Sequence, residues 1–243
     1  MVREIVGDSY LADDDLMFNF SGLKGQTKVG KEGLHYYSKR VTLVFASINT
    51  EFVNYLLNKL FDFEHIFLGD LLLEPEYVER EELQEPLGEA VKYLCLSPMA
   101  IMNSDDNEKN KSFIFPTSDV FSDFLYESTM SRMERSGMYT SREIAGFYKF
   151  QIIPDKFYLQ QIQKKEKKFA RIYTAIKKGR IKEIRGYTFP FQLFAAPQVQ
   201  DFIYNCGLGE LSQNGFGMLD LAEIDIVKKN VIFQPELKRQ QAG

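Results

Sequence analysis

The order of strand-like and helix-like segments in the second half of the chain constrains the fold more than any other feature. The predicted segments are a strand over 91–101, a helix over 118–137, a hairpin over 168–195, a helix over 198–205 and a strand over 218–226. Runs rich in β-branched and aromatic residues flank the KKGR turn of the hairpin. The order matches a ferredoxin-like β-α-β-β-α-β unit and predicts an α+β fold.

The first half of the chain gives a shorter version of the same order. It contains two predicted strands, over 16–23 and 34–46, a helix that begins at Asn49 or Thr50, and a buried strand over 65–73. We therefore predict tandem ferredoxin-like domains, with the opening strand and helix of the first domain missing or shortened.

An acidic, proline-marked stretch over residues 74–89 separates the two halves. Proline and charge runs are typical of segments between domains. This stretch predicts an N-terminal domain over 1–88 and a C-terminal domain over 89–243.

Composition and the absence of certain motifs argue against several classes of protein. The chain has 243 residues, of which 44% are hydrophobic, and its two cysteines, Cys95 and Cys206, have no neighbours at metal-ligand spacing. An acidic N-terminus and the lack of an apolar run of about 20 residues argue against export and membrane insertion. We expect a cytoplasmic protein with no cofactor, no metal site and no membrane partner.

A glycine-rich segment, GLGELSQNGFG over residues 207–217, lies between the last helix and the last strand. Glycine permits positive φ and close approach of the backbone, so this loop is a candidate for holding a phosphate or sugar oxygen. The alternative is that its glycines only cap the helix and turn the chain. The candidate binding residues are Gly207, Gly209, Ser212, Gln213, Asn214, Gly215 and Gly217.

A basic segment precedes this loop. Residues 164–185 contain ten Lys and Arg against two Glu, a net charge of +8 that leaves −12 for the rest of the chain. Segregated positive charge on a hairpin is typical of surfaces that bind a nucleic-acid backbone. A solvated hairpin is the alternative, and Tyr173 and Tyr187 are candidates for stacking on bases or for core packing. The candidate cations are Lys168, Arg171, Lys177, Lys178, Arg180, Lys182 and Arg185.

One of the two histidines stands in a setting suited to acid–base chemistry. His35 lies beside Tyr36 and near Lys39, a group able in principle to move protons and to neutralise a phosphorane. These three residues are the catalytic candidates, and a simple surface position for His35 is the alternative. The other histidine, His65, is expected to be structural.

These residues together resemble a known family. GLGELSQNGFG, the basic hairpin before it, CLSPMAI, FNFSGLKG and VTLVFASINTEFVNYLLNKLF are similar, in order and spacing, to CRISPR-associated repeat-RNA processing endoribonucleases of the RAMP superfamily. The resemblance covers about residues 18–221. It implies tandem ferredoxin-like domains and recognition of repeat RNA by the glycine-rich loop and basic surfaces.

The resemblance also implies a reaction and a set of partners. In that reaction the 2′-hydroxyl attacks the adjacent phosphate without a metal ion, leaving a cyclic phosphate and a free 5′-hydroxyl, so that precursor CRISPR RNA is cut into guide RNAs. The implied partner is CRISPR repeat RNA, while other CRISPR effector proteins and a second copy of the chain are further candidate partners. Two alternatives stay open: a repeat-RNA-binding relative without activity, and an α+β interaction protein whose glycine loop is structural.

Overall fold

Five α-helices and fifteen short strands make up the described part of the chain. The computed structural model describes residue 5 and residues 17–31, 33–101, 114–165, 168–177, 180–222 and 228–235. Within these ranges no helix combines the length and the apolar character needed to cross a membrane. The helices are α1 (Thr50–Leu60), α2 (Asp119–Arg135), α3 (Ser141–Gly146), α4 (Lys156–Lys164) and α5 (Pro197–Cys206).

The strands are mostly three to eight residues long. They are β1 (Phe18–Phe20), β2 (Thr27–Val29), β3 (Leu34–Tyr36), β4 (Phe45–Ser47), β5 (Ile66–Leu68), β6 (Leu71–Leu73), β7 (Glu79–Leu83), β8 (Ala90–Cys95), β9 (Met99–Ile101), β10 (Phe150–Pro154), β11 (Ala170–Lys177), β12 (Arg180–Tyr187), β13 (Phe191–Ala195), β14 (Leu219–Leu221) and β15 (Lys228–Ile232).

Local sequence signals set the ends of the longer helices. The side chain of Asn49 accepts a hydrogen bond from the Phe52 N–H at 2.9 Å, which caps α1 where the sequence predicts its start. Helix α2 begins after Ser118 and is followed by Gly137 at φ 66°, the left-handed conformation that glycine adopts most easily. Both predicted helix starts are confirmed.

The second half forms a ferredoxin-like unit around a four-stranded antiparallel sheet. Its strand order is β10-β13-β8-β14, and in chain order the unit runs β8, α2, β10, β13, α5, β14. The buried side chains of Tyr93 and Leu193 come from this sheet, and those of Phe121 and Phe202 from α2 and α5. The predicted α+β fold is confirmed, and the unit has the β-α-β-β-α-β order, although its second strand, β10, was not among the predicted strands.

The predicted hairpin over 168–195 supplies only the third strand of this unit, β13, so its predicted role in the fold is wrong in part. Strands β11 and β12 form a separate three-stranded sheet of order β11-β12-β9, and the second strand of the unit is β10, at the edge of the four-stranded sheet. The predicted strand over 91–101 is likewise split into β8 and β9 at Pro98. Proline has no N–H to donate to a ladder, so β8 and β9 join different sheets on either side of it.

Residues 18–31 and 33–47 form a two-stranded ribbon that we call the arm. At its base β1 pairs with β4, and at its far end β2 pairs with β3. The Lys24 and Thr42 backbones exchange hydrogen bonds of 2.7 and 2.9 Å between these two pairs. The single strand predicted over 34–46 is therefore two strands, β3 and β4, and β2 was not predicted.

Two further segments differ from their predictions. Residues 65–73 form a hairpin, β5–β6, around Gly69 at φ 60°, with Phe67 and Leu72 exposed, so the predicted buried strand is wrong. The acidic stretch contains β7, which pairs with β15. A strand of mostly charged residues escapes detection by hydrophobic alternation.

Backbone contacts divide the described chain into two compact units. One contains Asn49–Pro86 with β15, and the other contains Met17–Ile48 with residues 87–222. In the first unit the Phe61 and Phe233 rings stack with centroids 6.5 Å apart. The division into domains 1–88 and 89–243 stays a prediction.

Candidate nucleic-acid interface

The glycine loop, residues 207–217, connects α5 to β14 by a path that requires left-handed backbone conformations. Its four glycines have φ of 80°, 89°, 82° and 76°, at Gly207, Gly209, Gly215 and Gly217. A short 3-10 helix over Ser212–Asn214 lies between the two pairs. Side chains with a Cβ rarely adopt such angles, so glycine is required here for conformation.

Close packing gives a second reason for the same glycines. A Cβ at Gly209 would lie 2.6 Å from the Ala100 carbonyl oxygen, and one at Gly215 would lie 2.7 Å from the Phe20 ring. A Cβ at Gly217 would overlap the Leu208 carbonyl, and one at Gly207 would overlap the Asn19 side chain. The loop is therefore wedged between β9 and the base of the arm.

Most backbone N–H groups of the loop are used inside the protein. Leu208 donates to Gly217 O at 2.9 Å, and Gly217 donates to Pro98 O at 2.8 Å. Glu210 donates to Ala100 O at 2.9 Å, while the N–H groups of Asn214 and Gly215 bond within the 3-10 helix. These N–H groups therefore do not form the expected row that faces a phosphate.

The tip of the loop offers side chains instead. Gln213 and Asn214 are exposed on the 3-10 helix, whereas Ser212 is buried. Amide side chains carry both donors and acceptors and suit hydrogen bonds to phosphate, sugar or base edges. Of the predicted loop residues, the glycines shape the loop and these two amides face solvent.

A buried arginine holds the loop from beneath, and the sequence predictions missed it. Arg132 on α2 is 5% exposed. Its guanidinium donates to Gly207 O at 2.8 Å, to Gly209 O at 3.0 Å and to the Cys206 carbonyl. The same group lies over the Phe202 ring, 5.4 Å from its centroid. One side chain thus ties together the end of α5 and the first half of the loop.

Electrostatics explain why a charge is tolerated at this position. Burial lowers the pKa of the Arg132 guanidinium, while the field of Cys206 and Glu210 acts in the opposite direction. The C-terminus of α5 adds the partial negative charge of its unpaired carbonyls, which a cation satisfies. A sequence signal was available, since Phe121, Leu125 and Arg132 share one helical face at spacings of four and seven.

The pairing of β11 with β12 confirms a hairpin in the basic segment, and the structure locates most of the predicted basic residues. Lys168 and Arg171 are exposed, and Arg185 is half-buried. The backbones of Lys177 and Arg180 pair at the end of the hairpin, and that of Lys182 pairs with Ala175. Lys178 lies outside the described residues.

The structure brings the hairpin and the glycine loop together. Gly186 on β12 pairs with Ala100 on β9, and Ala100 in turn bridges to Glu210 of the loop. The Tyr173 ring of β11 meets the Phe216 ring edge to face, with centroids 5.3 Å apart. Strand β9 therefore contacts both elements, the hairpin through a ladder with β12 and the loop through one bridge at Glu210, and the hairpin and the loop lie side by side.

The two predicted stacking tyrosines have different fates. Tyr187 is fully buried and packs edge to face on Phe121 at 5.0 Å, so it belongs to the core. Tyr173 is half-buried and contacts the loop. Only Tyr173 keeps part of its surface available for a ligand.

The three catalytic candidates lie on the arm. His35 is exposed and pairs across the ribbon with Lys28. The Tyr36 hydroxyl donates to Leu23 O at 3.2 Å, and Lys39 is exposed in the turn between β3 and β4. The base of the arm, through Asn19 and the Phe20 ring, reaches the glycine loop.

Comparison with known proteins places the chain in a family. The family model described as "CRISPR associated protein Cas6, C-terminal" matches residues 80–221, which is more than half of the chain. The chain belongs to the Cas6 family. This is the CRISPR-associated repeat-RNA processing family that the sequence resembles. No curated protein matches the sequence at a significant level.

Solved structures share the fold of this Cas6-family chain. The solved structure described as "Characterization of a Cas6-related gene from Pyrococcus furiosus" superposes on this chain with a TM-score of 0.67. The two sequences are 19% identical, and the match covers 92% of this chain and 86% of that one. A second solved structure, described as "An RAMP protein binding different RNA substrates", has a TM-score of 0.66 and 19% sequence identity. That match covers 91% of this chain and 87% of the other. The predicted tandem ferredoxin-like fold class is confirmed.

Proposed function

We propose that this chain binds CRISPR repeat RNA on the surface formed by the glycine loop and the basic hairpin. The adjacency of the two elements carries the proposal, because Ala100 of β9 pairs with Gly186 of the hairpin and also bridges to Glu210 of the loop. Gln213 and Asn214 supply hydrogen bonds at the tip, and Tyr173 supplies an aromatic edge beside it.

Charge distribution supports the same assignment. The segment of residues 164–185 carries +8, whereas the remainder of the chain carries −12. An RNA backbone is attracted to the positive charge of the hairpin, which directs it toward the neighbouring loop. Lys168 and Arg171, exposed on the loop-proximal half of the hairpin, are the first contacts we assign.

We further propose cleavage within the repeat by attack of the 2′-hydroxyl on the adjacent phosphate. The attacking oxygen loses a proton, the P–O5′ bond breaks, and the leaving 5′-oxygen gains a proton, so the products are a 2′,3′-cyclic phosphate and a 5′-hydroxyl. His35 is the candidate for these proton transfers, with Tyr36 and Lys39 beside it.

A second candidate function is repeat-RNA binding without cleavage. It is favoured by the contrast between the firmly packed binding loop and the candidate site on the arm, where the Tyr36 hydroxyl bonds to Leu23 O. A structural loop in an α+β interaction protein is the third candidate, which the internal bonding of the loop N–H groups favours. Contacts with other CRISPR effector proteins, homodimerisation and a cytoplasmic location stay predictions.

Incubation with labelled repeat RNA in the presence of a chelator separates these functions. A cyclic-phosphate product supports the enzyme, and a retarded but intact RNA supports the binder. Absence of any shift at low salt supports the structural alternative. His35→Ala tests the catalytic candidate, since unchanged cleavage removes His35 from the mechanism.

The role of the hairpin is tested by its salt dependence. Replacing Lys177, Lys178 and Arg180 with Gln should weaken RNA binding and flatten the plot of log affinity against log salt, by about 0.7 in slope per phosphate contact on a single strand. An unaltered slope would show that the end of the hairpin faces away from RNA.

A further inference from the structure

We infer that the arm is a second RNA-binding surface, which takes a single-stranded segment of the RNA held by the glycine loop. The inference rests on the proposed function, since it adds a contact to the same ligand. Four observations carry it: the charge of the arm, its attachment to the loop, its exposed aromatic residue and the apolar pair at its tip.

Positive charge is concentrated on the arm. Met17–Ile48 contain five Lys and Arg against a single Glu, a net charge of +4. Lys24, Lys28, Lys31 and Lys39 are all exposed. With +8 in residues 164–185, this leaves −16 for the rest of the chain, so the arm and the hairpin are both segments that attract a polyanion.

The base of the arm is fixed at the glycine loop. Asn19 of β1 lies against Gly207, and the Phe20 ring lies against Gly215. Backbone pairing then continues outward through the Lys24–Thr42 bridge to the β2–β3 pair. An RNA strand that leaves the loop tip can follow this ribbon without crossing the acidic remainder.

The outer part of the arm has the residues that bind a single strand. Tyr37 is 65% exposed, and strand alternation places it on the same face as His35, opposite Lys28 across the ribbon. Val29 and Leu34 form an exposed cross-strand pair at the tip, 79% and 52% accessible. Aromatic residues stack on unpaired bases while lysines follow the backbone, which favours a single strand over a duplex.

Matched double substitutions test the electrostatic part. Lys28→Gln with Lys31→Gln removes two charges from the arm. Lys149→Gln with Lys156→Gln is the control, since both residues are exposed and flank β10, the edge of the four-stranded sheet opposite β14. Affinity is measured over a salt series with repeat RNA that carries a single-stranded flank. The arm variant should lower the log–log slope by about 1.4, and the control should leave it unchanged.

Tyr37→Ala tests the stacking part separately. It should weaken binding of the flanked RNA about tenfold without changing the slope of log affinity against log salt. It should leave the binding of an RNA trimmed to the segment on the loop unaffected.

If the wild-type protein binds no RNA, the proposed function itself fails. If the wild type binds but the arm variants match the control, the arm inference fails alone. Equal loss on duplex and single-stranded flanks would overturn the assignment to a single strand.

Discussion

The glycine loop and the basic hairpin both contact β9, but different forces fix their conformations. The loop is set by packing, left-handed glycines and hydrogen bonds to Arg132 and Ala100. The hairpin is set by strand pairing, and its exposed residues include Lys168, Arg171 and the apolar Ile172. The loop is therefore defined by its packing and the hairpin by its charge. Substitutions in the loop should lower stability, and substitutions in the hairpin should change salt-dependent RNA binding.

The largest effect is expected at Gly217. Gly217→Ala should lower the free energy of unfolding by about 4 kcal/mol, because positive φ and overlap with the Leu208 carbonyl act together. Denaturant unfolding measures it. Gly137→Ala is the control, with φ 66° but open space around it, and should cost only about 1 kcal/mol. Equal costs at the two sites would mean that the loop is not tightly packed.

Removal of the buried arginine should come next. Arg132→Met leaves the carbonyls of Cys206, Gly207 and Gly209 without their donor and should cost about 3 kcal/mol. Arg135→Met, one turn along on the exposed side of α2, should change stability by less than about 0.5 kcal/mol. Similar values for the two variants in urea unfolding would remove Arg132 as the support of the loop.

Alkaline pH should weaken the junction of α5 and the loop. Burial raises the pKa of the Cys206 thiol from 9.0 to about 11, so its contribution is complete below pH 9 and is lost as pH rises toward 11. Between these values the wild type should lose about 2 kcal/mol more than Cys206→Ala, from unfolding curves at each pH. Parallel pH profiles would show that the thiol titrates normally in the folded protein.

The smallest effect is expected at the contact between the hairpin and the loop. Tyr173 and Phe216 should show a coupling of about 1 kcal/mol in a double-mutant cycle with Ala, because their rings meet edge to face. Unfolding free energies of the four proteins give this value. Strictly additive losses would mean that the hairpin and the loop are independent, which would weaken the case for one binding surface.

Local signals predicted the elements that depend on local contacts. The Asn49 cap, the two ends of α2 and the KKGR turn each involve residues close together in sequence. The same kind of signal was present but missed at α3, where Thr140 and Glu143 form a capping box, and at α4, which Asp155 caps. Strand β10 was missed because five residues, FQIIP, carry too little periodicity.

Strand pairing was the part that sequence patterns did not predict. The pattern predicted the hairpin as the second and third strands of a ferredoxin-like unit, but β10 and β13 hold those places in the chain order and β12 of the hairpin pairs with β9. Alternation shows that a segment can form a strand and leaves its partner open, since every strand edge offers the same backbone groups. The choice depends on which faces bury their apolar residues together.

By itself the sequence determined the mixed α+β character of the second half, the segregation of charge onto residues 164–185 and the glycine pattern of residues 207–217. These are properties of neighbouring residues, so they survive without knowledge of the fold. Only the tertiary structure decided that Arg132 supports the loop from 75 residues away, that the loop and the hairpin both contact β9, and that the arm begins beside the loop. Such contacts depend on long-range packing, in which buried polar groups must find partners wherever the fold brings them together.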